Sequence, residues 1–251
     1  MIELRHLTIG YGNKAVMSDI NQHLPEGQMV CMLGANGVGK STLLRTIAGF
    51  IPPLSGKILL QGHDLLSFNL SERSRAISVV LTEHIDVPHM KVTDLVGMGR
   101  SPYTGFFGTL SEDDETIVGE AMEMVGIANL AHRTIDTLSD GERQKTLLAK
   151  ALAQQTPIIL LDEPTAFLDF HAKISTLRLM RQLAHRTNKT ILLSTHDVEM
   201  AIQLSDMLWI VQNGHILAGT TPSLTESGIL QHFLQAEGIT YDTQRHTLKI
   251  M

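Results

Sequence analysis

The stretch Gly34-Ala35-Asn36-Gly37-Val38-Gly39-Lys40-Ser41 has the spacing G-x-x-x-x-G-K-[ST], and Thr42 follows it. These residue types at this spacing suit phosphate groups. Glycines let consecutive backbone N–H groups turn inward around anionic oxygens. The run GQMVCMLG that leads into the stretch reads as a strand, and STLLRTIAGF as a helix, which is the context such a loop needs. A helix opening at Lys40 adds the positive end of its dipole. Lys40 then has the reach for the outer phosphates of a nucleotide, and the Ser41 hydroxyl suits a Mg²⁺ ion beside them.

A second stretch, Ile158-Ile159-Leu160-Leu161-Asp162-Glu163, is an apolar strand ending in two acids. Asp162 is expected to hold the Mg²⁺ through a water. Alternation along the strand points Glu163 elsewhere, where it is the natural general base for an attacking water.

Positioning these groups requires a sheet whose strand ends meet at one edge. The opening segment reads as short strands with a turn at Gly10-Tyr11-Gly12-Asn13, and a Pro52-Pro53 turn is expected to end the helix after the phosphate loop. AISVVLTEH, PIILLDEP and KTILLSTHD read as further strands, and AKISTLRLMRQLAHRT as a helix. From Val92 to Lys150 the pattern turns helical, with Ser111 placed as an N-cap before Glu112, Asp113 and Asp114. Strands alternating with helices, their apolar runs lacking period-two alternation, predict an α/β fold around a buried parallel sheet. The expected organisation is a core over 1–91 and 151–220, with an N-terminal β region, and an α-helical subdomain inserted over 92–150. An extension over 221–251 carries no clear pattern.

With 251 residues, 43% of them hydrophobic, the chain has material for a large core. The formal charge of −6 comes with no basic run, which argues against nucleic acid as the main ligand. A single cysteine, Cys31, lies in an apolar run and is expected to be a reduced, buried thiol. No leader-like apolar segment and no stretch of ~20 apolar residues is visible, so the chain is expected in the cytoplasm, with any membrane role through a partner.

Three further stretches, taken with the phosphate loop, make a resemblance. LSDGERQK (138–145) precedes ILLDEP, and a strand ending in STHD follows. In this order they resemble the ATP-binding subunit of ABC transporters, from Ile2 to about Thr220. The resemblance implies a P-loop NTPase (RecA-like) core that binds ATP and Mg²⁺. It implies a signature motif at LSDGE, with Ser139 and Gly141 facing a partner's γ-phosphate, a D-loop at Phe167-Leu168-Asp169, and a switch histidine at His196. Tyr11 stands where an aromatic is expected to stack on adenine. The family usually has glutamine after the strand AISVVL; this chain has Thr82, whose hydroxyl has a shorter reach. Asp169 equally suits a helix N-cap.

One phosphate loop and one signature in the chain imply a head-to-tail homodimer with ATP sandwiched between the two copies. They also imply separate membrane permease subunits and, indirectly, a substrate-binding protein. The chain would sit at the cytoplasmic face of the membrane. Met98, Gly99, Arg100, Pro102 and Tyr103 resemble the segment that follows the Q-loop in importer ATPases for iron–siderophore, haem or cobalamin. A soluble ABC protein acting on ribosomes or nucleic acid, and a P-loop kinase, are the competing classes. The first lacks the expected second cassette or basic extension, and the second leaves LSDGE and His196 unexplained. Ser139 and Glu142 have capping-box spacing, S-x-x-E, so the same stretch is also expected to cap its own helix, with Asp140 directed away from the phosphate.

Overall fold

The structure, a computed structural model, describes residues 2–81, 89–105, 108–236, 238–242 and 247–250. The chain runs through β1 (Ile2–Tyr11), β2 (Lys14–Leu24), β3 (Met29–Leu33), α1 (Lys40–Ile47), β4 (Ser55–Leu60), β5 (His63–Asp64), α2 (Leu70–Ala76) and β6 (Ile77–Val80). It continues through α3 (Val92–Gly97), α4 (Glu112–Met124), α5 (Asp140–Ala153), β7 (Ile158–Leu161), α6 (Phe170–Thr187) and β8 (Thr190–Ser194). Then follow α7 (Val198–Leu204), β9 (Met207–Gln212), β10 (His215–Gly219), α8 (Thr221–Glu226), α9 (Ile229–Ala236), β11 (Ile239–Asp242) and β12 (Thr247–Ile250).

The central sheet has the order β10-β9-β3-β8-β7-β6, parallel except for the edge strand β10. Its strands are covered on both faces, which is why they read as unbroken apolar runs. Met29, Cys31 and Leu33 of β3 face one core with α5, α6 and the C-terminal helices, whereas Val30 and Met32 face the other. That second core is roofed by the antiparallel sheet β2-β1-β4-β5. The β1–β2 turn is tighter than the sequence suggests: β1 extends through Tyr11, and Gly12-Asn13 alone make the turn. Cys31 is fully buried, and burial pushes its thiol up to about 12, out of reach of thiolate chemistry.

Helix α1 does not wait for the prolines to stop it. Its carbonyls are closed by Gly49 N–H donating to Thr46 O (3.0 Å) and Phe50 N–H donating to Arg45 O (2.9 Å), with Gly49 at φ 76°. This is the left-handed glycine termination that a Cβ would strain.

Arg100, just after α3, ties α4 to the C-terminal end of α5. Its Nε donates to Asp114 Oδ1 (2.8 Å), and its Nη1 to Ala153 O (2.8 Å) and Gln155 Oε1 (3.0 Å). The guanidinium lies 4.0 Å from the Tyr103 ring centroid, and Arg75 of α2 lies 5.0 Å from the same ring. Arg100 and Asp114 are both buried, so the Gly-Arg-Ser-Pro-Tyr segment faces inward at its arginine, while Met98 stays exposed. The Arg100 hydrogen bond, with further bonds from Ser111, holds the Asp114 carboxyl at about 2, below its ordinary 3.8.

Removing one partner leaves the other charge buried, so Arg100→Met is expected to lower Tm by about 10 °C, and Arg100→Met with Asp114→Leu to recover much of it. A carboxyl with a depressed pKa stabilises the fold above its ordinary value and loses that contribution as pH falls from about 4 to about 2. Asp114→Asn should flatten the stability–pH curve in that window alone. An unchanged curve in chemical denaturation would remove Asp114 from the acid response.

The described residues of the C-terminal extension form two helices and two strands. Thr220 caps α8 through Ser223 N–H, with Pro222 in the first turn, and β11 and β12 form a hairpin. Leu224, Leu230, Phe233 and Leu234 are buried in the core on the helical side of the central sheet.

Candidate functional site

The phosphate loop spans the gap from β3 to α1 at the carboxyl edge of the parallel strands, where open α/β sheets bind ligands. Gly39 has φ 107°, and a Cβ there would lie 2.4 Å from Val16 Cγ1, so only glycine closes the cradle. The N-terminus of α1 has no side-chain cap and no acid in its first turn. Helices α2, α4 and α5 are closed at the same end by capping boxes, Asn69–Glu72, Ser111–Asp114 and Ser139–Glu142. The orphan N–H groups and dipole of α1 are thus left for an anion. Lys40 is buried, and its Nζ donates to Gly34 O (2.7 Å) and Ala35 O (3.0 Å), bracing the loop from inside.

Tyr11, Asn36, Gly37, Lys40, Ser41 and Thr42 line one cavity together with Glu163, at whose mouth the Tyr11 ring is exposed. Thr42 Oγ1 approaches Tyr11 Oη at 3.5 Å. Gly34, Ala35 and Asn36 line a second cavity on the other side of the loop, with His196.

The two acids are held by the sheet and by one hydroxyl. Asp162 N–H donates to Val80 O (2.9 Å), so Asp162 prolongs β7 and is buried. Ser194 Oγ donates to Asp162 Oδ1 (2.7 Å) and accepts from Glu163 N–H (2.9 Å). Glu163 then leaves the strand in the left-handed region, φ 46°, a conformation that costs a non-glycine residue about 1–3 kcal/mol and gathers at functional sites. The turn directs its carboxylate to the phosphate-loop cavity, where Oε2 lies 3.3 Å from His196 Nδ1. Ser194 was not singled out in the sequence as a site residue. Its signal is a hydroxyl that follows three apolar residues at the end of the strand TILLS.

The signature residues are not brought to this cavity. Ser139 Oγ accepts from Glu142 N–H (3.3 Å) and Glu142 Oε2 accepts from Ser139 N–H (2.9 Å), completing the capping box of α5. Gly141 packs toward Ala172 of α6. Asp140 lines a cleft within its own chain with Asp162, Glu163 and Phe167. Asp169 Oδ1 accepts from Ala172 N–H (2.9 Å), the N-cap of α6. Thr82 lies outside the described residues.

Residues 17–166, more than half of the chain, match the sequence profile described as ABC transporter. The chain belongs to the ABC transporter family. It is similar to the achromobactin transport ATP-binding protein of Dickeya dadantii, 37% identical over 88% of this chain and 82% of that protein. It is similar to the ferric enterobactin transport ATP-binding protein of Escherichia coli, 35% identical over 86% of this chain and 80% of that one. A cobalamin import ATP-binding protein of Halobacterium salinarum is 37% identical over 86% of this chain but only 54% of its own length. Among solved structures, a metal-chelate-type ABC transporter in an inward-facing conformation aligns with TM-score 0.79 and 28% identity over 92% of this chain and 88% of that one. The chain is therefore an ABC ATPase that binds ATP and couples its hydrolysis to transport. Among the described residues, no helix of this ABC ATPase is long and apolar enough to cross a membrane.

Proposed function

We propose that this ATPase drives import of an iron–siderophore, haem or cobalamin-type chelate through separate permease subunits, working as a head-to-tail homodimer. The observation that carries the dimer is the split site: the cavity holding the phosphate loop and Glu163 contains neither Ser139 nor Gly141. A second copy, placed so that its Ser139 and Gly141 N–H face the γ-phosphate, completes it. The importer class is supported by the relatives named for achromobactin, enterobactin and cobalamin. Separate permease subunits supply the membrane passage, and this chain sits against them at the cytoplasmic face, a reading supported by relatives named as transport ATP-binding proteins. A substrate-binding protein then meets the permease from the other side.

In this reading the loop N–H groups, the α1 dipole and Lys40 bind the phosphates, and the Tyr11 ring supports the adenine. Ser41 and Asp162 would hold a Mg²⁺ ion as hard oxygen donors, Asp162 being oriented by Ser194. The ion, when bound, neutralises charge on the phosphate oxygens. Glu163 accepts the proton of the attacking water, and His196 holds that carboxylate from the γ-phosphate side. ATP bound between two copies favours closure, and loss of the γ-phosphate releases it.

Co-purification from detergent-solubilised membranes tests the assignment. Recovery of a polytopic permease identified by mass spectrometry supports it; a ribosomal or DNA-bound partner alone rejects it. The dimer has its own test. Ser139→Ala is expected to lower hydrolysis about tenfold or more while one chain's nucleotide affinity moves less than about twofold. Equal losses of both would contradict a site completed by the partner. Asp140→Gly is expected to leave ATP-dependent dimerisation unchanged, since Asp140 lines its own chain's cleft; a large tightening would place its carboxylate at the partner's phosphate.

A further inference from the structure

A residue from the C-terminal extension lines a cavity together with the start of the phosphate loop. Gly34, Ala35 and Asn36 on one side and His196 and Val198 on the other line a cavity of about 210 Å³, and the remaining lining residue is Phe233. Phe233 belongs to α9 and is only 4% exposed, flanked by the fully buried Leu230 and Leu234. The preceding helix, α8, is coupled to the segment after His196. Thr221 Oγ1 at the start of α8 donates to Ile202 O of α7 (3.0 Å), and α7 begins two residues beyond His196. Ala201 and Ile202 share the core that holds Leu224, Leu230 and Phe233.

The loop carrying His196 is pinned on its sheet side. Thr195 N–H donates to Met32 O (3.1 Å), Asp197 N–H donates to Thr195 Oγ1 (3.1 Å), and Lys173 Nζ lies 3.0 Å from Asp197 Oδ2. On the far side the large apolar group lining the cavity is the Phe233 ring. The His196 side chain itself is about half exposed, so its own burial does little to fix the imidazole. Truncating a buried aromatic leaves a void that its surroundings fill only in part. The groups free to move into this one are the start of the phosphate loop and the His196 loop.

We infer that Phe233 is a positioning residue for ATP hydrolysis. Its ring fixes the spacing between Gly34–Asn36 and His196, and through His196 the placement of the Glu163 carboxylate. The C-terminal segment is thereby part of the hydrolytic machinery. The inference rests on the reading of His196 as the group that meets the γ-phosphate side of Glu163.

The test uses the 251-residue chain and steady-state phosphate release, with nucleotide affinity measured separately. Phe233→Ala is expected to lower kcat about tenfold while KM for ATP stays within about twofold, because displacement of a catalytic group by a fraction of an ångström acts on the transition state. Phe233→Met, which refills the space, is expected to return kcat to within about twofold of the parent. In a His196→Ala background, Phe233→Ala should cause no further fall, since its effect runs through that imidazole.

An equal fall in both backgrounds, or a parallel change in KM, would make Phe233 a packing residue only and overturn the inference. If His196→Ala alone turns over at the parental rate, the reading of His196 fails, and with it the premise. If Phe233→Ala does not fold, Phe233→Leu and Phe233→Met decide. A loss of kcat at constant KM in Phe233→Leu that Phe233→Met does not show supports the inference, and parental kcat in Phe233→Leu overturns it.

Discussion

Glu163→Gln leaves an ATPase that binds ATP and barely turns it over. The amide keeps the size and position of the carboxylate and loses only its ability to take a proton. The cavity around the phosphate loop stays intact, so nucleotide affinity is expected within about twofold of the parent, whereas phosphate release falls about 10²–10⁴-fold. The structure gives the change an unusually clean background. The Glu163 backbone is set by its left-handed conformation and by the Ser194 hydroxyl on its N–H, neither of which the substitution touches. Equilibrium binding of a fluorescent ATP analogue and a coupled phosphate assay measure the two quantities. Hydrolysis at the parental rate would take the base role away from Glu163. Because ATP persists in such a variant, a stable dimer in the presence of ATP is also expected by size-exclusion chromatography, and a monomer would count against the split site.

Lys40→Ala should fail at the earlier step. A charge-assisted hydrogen bond contributes about 1.5–3 kcal/mol, so its loss weakens ATP binding by roughly 10–100-fold. A second effect adds to the first. Lys40 Nζ is bonded to the carbonyls of Gly34 and Ala35, within the same loop whose N–H groups are proposed to bind phosphate. Its removal loosens the cradle as well as deleting a charge. Lys40→Arg keeps the charge but places a planar fork in a site where the side chain is only 6% exposed, and it is expected to recover little affinity. Titration calorimetry with ATP decides this, and parental affinity in Lys40→Ala would remove the lysine from phosphate recognition.

Local chemistry explains why the backbone geometry of the candidate site is legible in consecutive residues. The phosphate loop works through backbone N–H groups, so its requirements are written in consecutive residues: glycines where a Cβ would collide and a lysine where the helix starts. Asp162 and Glu163 stand next to each other at the end of an apolar strand for the same reason. The capping box of Ser139 and Glu142 is likewise a four-residue affair, and the two hydrogen bonds expected from S-x-x-E are both formed. The N-cap role of Asp169 is equally local, and its carboxylate is engaged by Ala172 N–H. The roles of these residues toward a partner belong to the proposed dimer.

What escaped the sequence lies in contacts between distant segments. Ser194 is 31 residues from Glu163 and acts on it through a single hydroxyl, which composition and periodicity do not register. Arg100 reads only as part of a segment that resembles importer ATPases; that its guanidinium is buried against Asp114, Ala153 and Gln155 is a matter of tertiary contacts. The prolines after α1 look like its terminator, but the helix has already closed on Gly49.

By itself the sequence determined the alternating α/β architecture, the position of the phosphate loop and the paired acids that follow a buried strand. Those depend on interactions within a few residues and on the match between apolar runs and a sheet covered on both faces. Only the tertiary structure decided which way Glu163 turns, that Ser194 joins it to Asp162, that Ser139 and Gly141 stay outside their own chain's phosphate cavity, and that Phe233 of the C-terminal extension stands against the loop of His196. Each of those is a distance between segments far apart in the chain, set by how two cores pack on one sheet rather than by any run of neighbouring residues.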